Sequence, residues 1–244
     1  MQLHAQTAPT RFQVMGERSS GTNLVKRLMI RNSGLTPSEV LGWKHGHPHA
    51  LAIPADLAVI CVVRNAADWA LSMHAKPWHS TPQIQALDFA DFIRAPWTSI
   101  IDRARYFEGS GEQGLVGQPL QLDRDPLTGA VYSTLFALRR AKLSGLLSHL
   151  NRGCTCVLLR AETVQTAQQA SIDSLRAALG QPARSSAFRP VGKRLGSKFK
   201  PAIATRPDTP ETLTPADHAF MIEQLDEQTE AALGYTYAPP TPHL

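Results

Sequence analysis

The segment LAVICVVR, residues 57–64, constrains the fold more than any other stretch of the chain. Its apolar run is continuous, rich in Val and Ile, and does not alternate with polar residues. A strand of that kind is covered on both faces, as in a parallel sheet lying between helices. The run ends on Arg64, a cation at a strand's carboxyl end, where sheets of this type bind ligands.

The rest of the sequence supplies matching elements. RFQVM (11–15) reads as a strand, and TNLVKRLMIRN carries apolar residues at 24, 25, 28 and 29, the spacing of a helix with one buried face. VLGWKH (40–45) reads as a further strand, with a helix following over 66–74 and ending near Pro77. Residues 86–107 read as helical in two pieces broken around Pro96, and 131–150 as a long amphipathic helix. CTCVLLR (154–160) is the next buried strand, and a helix over 169–180 closes on Gly180. A final helix starts with Thr214 as N-cap and Pro215 in its first turn. Strands alternating with helices predict one α/β domain over 1–244, with a mainly parallel sheet flanked by helices. Residues 1–10 read as a flexible N-terminus, and 108–130, rich in Gly, Pro and charge, as a long surface loop.

Composition narrows the function. Lys and Arg total 25 against 20 Asp and Glu, but the cations are scattered rather than gathered in the stripe that nucleic-acid binding needs. Cys61, Cys154 and Cys156 fit no metal-ligand spacing and sit in apparent core strands, so no metal is expected and a reducing, cytoplasmic setting is. No apolar run reaches membrane-spanning length, and the N-terminus has no signal-peptide core.

Between the first strand and helix stands GERSSGTN, residues 16–23. A glycine-containing turn at a helix N-terminus presents backbone N–H groups and the positive end of the helix dipole to an anion. Arg18 adds a cation, and Ser19, Ser20 and Thr22 add hydroxyls around Gly21 and Asn23. The lysine that a nucleoside-triphosphate loop carries after its last glycine is missing, since Thr22 stands there. RNAADWALS, residues 64–72, places Ser72 eight positions beyond Arg64 on the following helix. Such a pair suits one phosphate gripped from two sides, or leaves Arg64 paired with Asp68. Between them, GWKHGHPH offers Lys44, His45 and His47; histidine is suited to take a hydroxyl proton near neutral pH.

Taken together, these segments resemble the sulfotransferases that use 3′-phosphoadenosine 5′-phosphosulfate (PAPS). The resemblance implies a P-loop NTPase-like α/β architecture, with RSSGTN (18–23) cradling the 5′-phosphosulfate and Arg64 and Ser72 holding the 3′-phosphate. The family's Lys-x-His-x-Pro segment looks like Lys44 to Pro48, where lysine and proline match and the histidines flank the expected position; the resemblance implies His45 or His47 as general base and Lys44 steadying charge on the leaving side. FRPVGKRLGSK (188–198) resembles the basic loop that closes over the 3′-phosphate, which implies contacts from Lys193 and Arg194. Arg160 and Glu162 resemble the family's Arg-Tyr-Glu-Asp strand end, with Ala161 in place of the tyrosine. Two departures stand out: Ala66 replaces a usual proline, and Arg18 lies one place further from Ser-Gly-Thr than the family's loop cation.

The expected reaction is transfer of a sulfuryl group from PAPS to a hydroxyl or amine of a small-molecule or glycan acceptor. Trp78 and Trp97 are candidate acceptor-pocket residues or core. Two other readings stand beside it: a P-loop kinase acting on a small hydroxyl substrate, and a non-catalytic module binding nucleotide or RNA through residues 189–200.

Overall fold

The computed structural model describes residues 8–192 and 198–238; Lys193, Arg194 and most of the segment 1–10 lie outside the described residues. In chain order the regular elements are β1 (Arg11–Gly16), α1 (Thr22–Asn32), β2 (Thr36–Pro37), β3 (Leu57–Val63), α2 (Ala66–Ala75), α3 (Pro82–Gln85), α4 (Phe89–Arg94), α5 (Leu135–Leu147), β4 (Thr155–Arg160), α6 (Ala161–Thr166), α7 (Gln168–Ala178), α8 (Pro215–Gln224) and α9 (Glu227–Ala232). They fall into two compact units. One comprises the described residues of Met1–Arg64 and Lys142–Ser197, the other those of Asn65–Ala141 and Lys198–Leu244.

The first unit holds the sheet, four strands in the order β2–β1–β3–β4, all parallel. Every residue of β3 is at most 1% exposed, as its unbroken apolar run requires. Alternate side chains point to opposite faces. On one face Phe12, Val14, Ile60 and Val62 pack with Val25 and Leu28 of α1 and Ile172 and Leu175 of α7. On the other strand positions Cys61 and Cys156 bring their thiols to 3.8 Å, both buried, and the hydrogen bond with Cys156, followed by burial, pushes the Cys61 thiol up. The chain leaves β1 for β2 on one side, whereas β3 leads to β4 on the other. The order therefore reverses between β1 and β3, and it is beyond the carboxyl ends at such a reversal that sheets of this type bind ligands.

The second unit has its own core: Trp69 and Met73 of α2, Phe92 and Ile93 of α4, Phe136 of α5, and Met221 of α8. Trp97 belongs to that core, 2% exposed, with its indole N–H donating to Asp123 over 3.3 Å. Trp78 instead packs edge-on against Tyr106 and Phe199. Arg139 of α5, fully buried, donates from Nε to Glu230 of α9 at 2.8 Å and from Nη2 at 3.1 Å. Tyr237 donates to the same carboxylate over 3.0 Å and accepts from the amide of Ala66 at the start of α2. No helix among the described residues is long and apolar enough to cross a membrane.

Three expected elements differ. Residues 40–45 form no strand; β2 is the short pair Thr36–Pro37, and Gly42 takes a left-handed φ of 82° that interrupts extended structure. Within 86–107 α4 stops at Arg94, and Ser99 and Ile100 instead make isolated antiparallel bridges to Ser80 and Pro119. The terminal helix is two, because Leu225 is extended and Asp226 starts α9 by accepting from the amide of Thr229.

Candidate functional site: the loop after β1

β1 ends on Gly16, pressed so closely on β3 that a Cβ there would lie 2.5 Å from the Val62 carbonyl oxygen and 2.8 Å from Ser20 Oγ. The next residues turn sharply, with left-handed φ at Ser19 (63°) and at Gly21 (91°). Successive amides in such turns form an anion-holding concavity. Ser20 is fully buried, and its hydroxyl donates to the Glu17 carbonyl at 2.7 Å, so it shapes the loop from inside. α1 begins at Thr22 with no side-chain cap and no acidic residue in its first turn, which leaves its dipole end suited to an anion. Arg64, just beyond β3, donates from Nη1 to the Ser19 carbonyl at 3.0 Å. The cation expected at the strand end therefore reaches this loop.

Residues 41–46 run as a strap beside the end of β1, held by side-chain and single backbone bonds where a strand ladder was expected. Gln13, 1% exposed on β1, accepts from the Leu41 amide at 2.8 Å and donates to the Gly42 carbonyl at 2.9 Å. The Gly16 amide donates to the Lys44 carbonyl at 3.0 Å. Lys44 then reaches the first turn of α1, donating to Asn23 Oδ1 at 2.6 Å. His45 Nδ1 lies 2.6 Å from the Gly16 carbonyl oxygen, which can only accept; Nδ1 carries the proton and Nε2 the lone pair. His47 faces elsewhere: its Nδ1 and the Pro48 ring bracket Gly145 of α5, where a Cβ would meet them at 3.2 and 3.0 Å.

Burial lowers the Lys44 ammonium to a pKa of about 8, with the charge of Glu39 opposing the shift and that of Lys26 assisting it. In the unfolded chain the same group titrates near 10.5. Between those values the unfolded chain holds a proton that the folded one has released, so this group's contribution to stability rises with pH across that window and is a constant cost below it. An anion bound at α1 reverses the preference by favouring the ammonium. Binding of a small anion such as inorganic pyrophosphate there above pH 8 should therefore take up a fraction of a proton. Calorimetry at pH 8.5 in buffers of different ionisation enthalpy reads that uptake, and Lys44→Met should abolish it.

Ser72 lies on α2, in the other unit. Lys193 and Arg194, for which the resemblance implies a closing loop, fall outside the described residues, but the residues leading to them are pinned. Asn32 exchanges two hydrogen bonds with the Arg189 backbone, at 2.8 and 3.1 Å, and Gln168 does the same with Val191, at 2.9 and 3.1 Å. Arg160 ends β4, in register with Val63, and Ala161 packs 3.5 Å from where a Gly21 Cβ would stand. Lys142 of α5 was not expected at the site. It is 6% exposed, with Nζ 5.8 Å from the Trp43 ring centroid. Its signal was a cation at a core position of the helical repeat, four residues from both Leu138 and Leu146. Among the described residues no group of three or more His, Cys, Asp or Glu is placed to hold a metal.

Comparison with family models, with curated proteins and with solved structures found no match to the chain.

Proposed function

We propose that the chain is a sulfotransferase that moves a sulfuryl group from PAPS to a hydroxyl, or an amine, of a small-molecule or glycan acceptor. The observation that carries this reading is the strap at 43–45. It brings a cation to the first turn of α1, where Thr22 replaces the lysine of a triphosphate loop, and a histidine with a basic Nε2 to the mouth of the same loop. A kinase loop supplies its own lysine and needs no such histidine. The parallel sheet with an anion-holding turn after its first strand also fits the P-loop-like architecture that the resemblance implies.

The loop amides of residues 19–22 and the N-terminus of α1 fit a phosphosulfate, and Arg64 fits the 3′-phosphate. His45 Nε2 takes the proton of the acceptor hydroxyl as its oxygen forms a bond to sulfur. The bond from sulfur to the bridging oxygen breaks, and that electron pair stays on the 5′-phosphate. Lys44, with Arg18, steadies the charge that accumulates there. Positioning and electrostatics supply most of the acceleration, as in phosphoryl transfer. Incubation with labelled PAPS and an acceptor panel should give a labelled product. Calorimetry provides the simpler check, with the 3′,5′-bisphosphate expected to bind about tenfold or more tightly than AMP, since its extra phosphate gains charge-assisted bonds. Equal affinities would sink the reading.

A further inference from the structure

Arg18 stands in the loop after β1 and Lys142 comes from a distant helix; a single indole ring links them. The Arg18 guanidinium carbon and the Lys142 Nζ each lie 5.8 Å from the centroid of Trp43, within the range of a cation–π contact. Both cations are only 6% exposed, and long charged side chains at that depth gain from an electron-rich face. Trp43 also meets His45 edge-on, with ring centroids 5.4 Å apart. It rides on the strap that Gln13 and Gly16 hold against β1, so its position is set by the sheet rather than by the loop.

We propose that Trp43 is a cation platform that holds Arg18 and Lys142 toward the anion-binding loop, and that this pair supplies the positive charge of the missing loop lysine. The proposal rests on the loop's role as an anion site, as in the reading above, but not on the identity of the donor. Trp43 acts through its two neighbours and is thus a positioning residue. Neither it nor Lys142 belongs to the sequence pattern that marks the loop, and Lys142 lies more than a hundred residues away along the chain.

The probe is inorganic pyrophosphate, which tests the loop without a 3′-phosphate. Calorimetry on the whole protein should show Trp43→Leu weakening its binding by about tenfold, while Trp43→Phe, which keeps an aromatic face, stays within about threefold. Arg18→Gln should cost much less in the Trp43→Leu background than in the wild type, since the two act as a unit. Pyrophosphate binding unchanged in Trp43→Leu, additive losses in the double variant, or no pyrophosphate binding by the wild type would each overturn the proposal. Should Trp43→Leu fail to fold, as judged by its thermal transition, Lys142→Met decides: a loss of several-fold is expected, and wild-type affinity overturns it. The comparison of the bisphosphate with AMP is independent of these outcomes, so the donor reading and the platform can fail separately.

Discussion

Under the proposed sulfuryl transfer, replacing His45 with alanine should lower the turnover of labelled PAPS by about 10²- to 10⁴-fold, the range in which a positioned general base contributes. Affinity for the 3′,5′-bisphosphate should stay within a few-fold, because the contact of His45 with the Gly16 carbonyl is made to the loop's backbone and adds no charge to an anion site. His45→Asn separates placement from basicity. Its side-chain amide can still donate to Gly16 but has no lone pair of comparable basicity, so it should be as slow as the alanine variant. His47→Ala, which removes a ring packed at Gly145, should leave turnover within about threefold, since no reacting group is lost. Measuring bisphosphate release over a pH series for the three variants tests this assignment. Full activity in His45→Ala, or its loss only in His47→Ala, would overturn it.

The second large effect lies in the other unit and concerns stability. Glu230→Ala leaves the guanidinium of Arg139 fully buried beneath Trp69, 5.2 Å from its ring, without the carboxylate that accepts two of its hydrogen bonds. Breaking a buried pair from one side costs about 3–5 kcal/mol. For a chain of this size that corresponds to a fall of about 10 °C in the thermal midpoint. Tyr237 loses its acceptor as well, and with it part of the hold on the Ala66 amide. Burial, together with the Glu230 charge, raises the Tyr237 phenol, so the hydroxyl stays a donor throughout the working range. The double variant Arg139→Met/Glu230→Leu should recover most of the loss, because apolar groups of similar volume need no charge compensation. Scanning calorimetry on the single and double variants checks both statements, and a midpoint in Glu230→Ala within 2 °C of the wild type would contradict them, as that shift is under about 1 kcal/mol.

Much of the sheet was legible because its strands are defined by burial alone. β3 and β4 are apolar runs that a helix of ordinary amphipathicity would not show, and α1 announces itself through Val25, Leu28 and Met29. β2 was not legible: a pair of exposed residues carries no periodicity. The strap at 41–46 was misread as a strand because its one buried apolar residue is covered for another reason. Leu41 is 3% exposed, tethered through the Gln13 side chain, and no pattern in 40–45 records a partner at position 13. The division of the terminal helix likewise depends on Asp226 being used as a cap instead of a surface acid.

At the candidate site, the loop, Lys44 and Arg64 could be found because they lie where short motifs place them. The two histidines part company only in three dimensions, His45 lying against the Gly16 carbonyl and His47 against Gly145 of α5. Lys142 left only its core position in the α5 repeat as a signal, and that is easily passed over because a lysine in a helical repeat is ordinarily a solvated residue.

The strap has a consequence for how this chain can vary in length. Lys44 and His45 are consecutive, and Gly16 bonds both, through its amide to one and its carbonyl to the other. A one-residue insertion between Gly42 and Lys44 would therefore move both side chains of the candidate site together, with no way to adjust one at a time. Beyond His49 the chain is under no such constraint: Leu51 is fully exposed, and the next anchor is Asp56, which accepts from Thr10 and Arg11 at the far end of the sheet. Grafts and natural insertions have room in residues 50–55, where loop length is cheap, and almost none in the few residues before them.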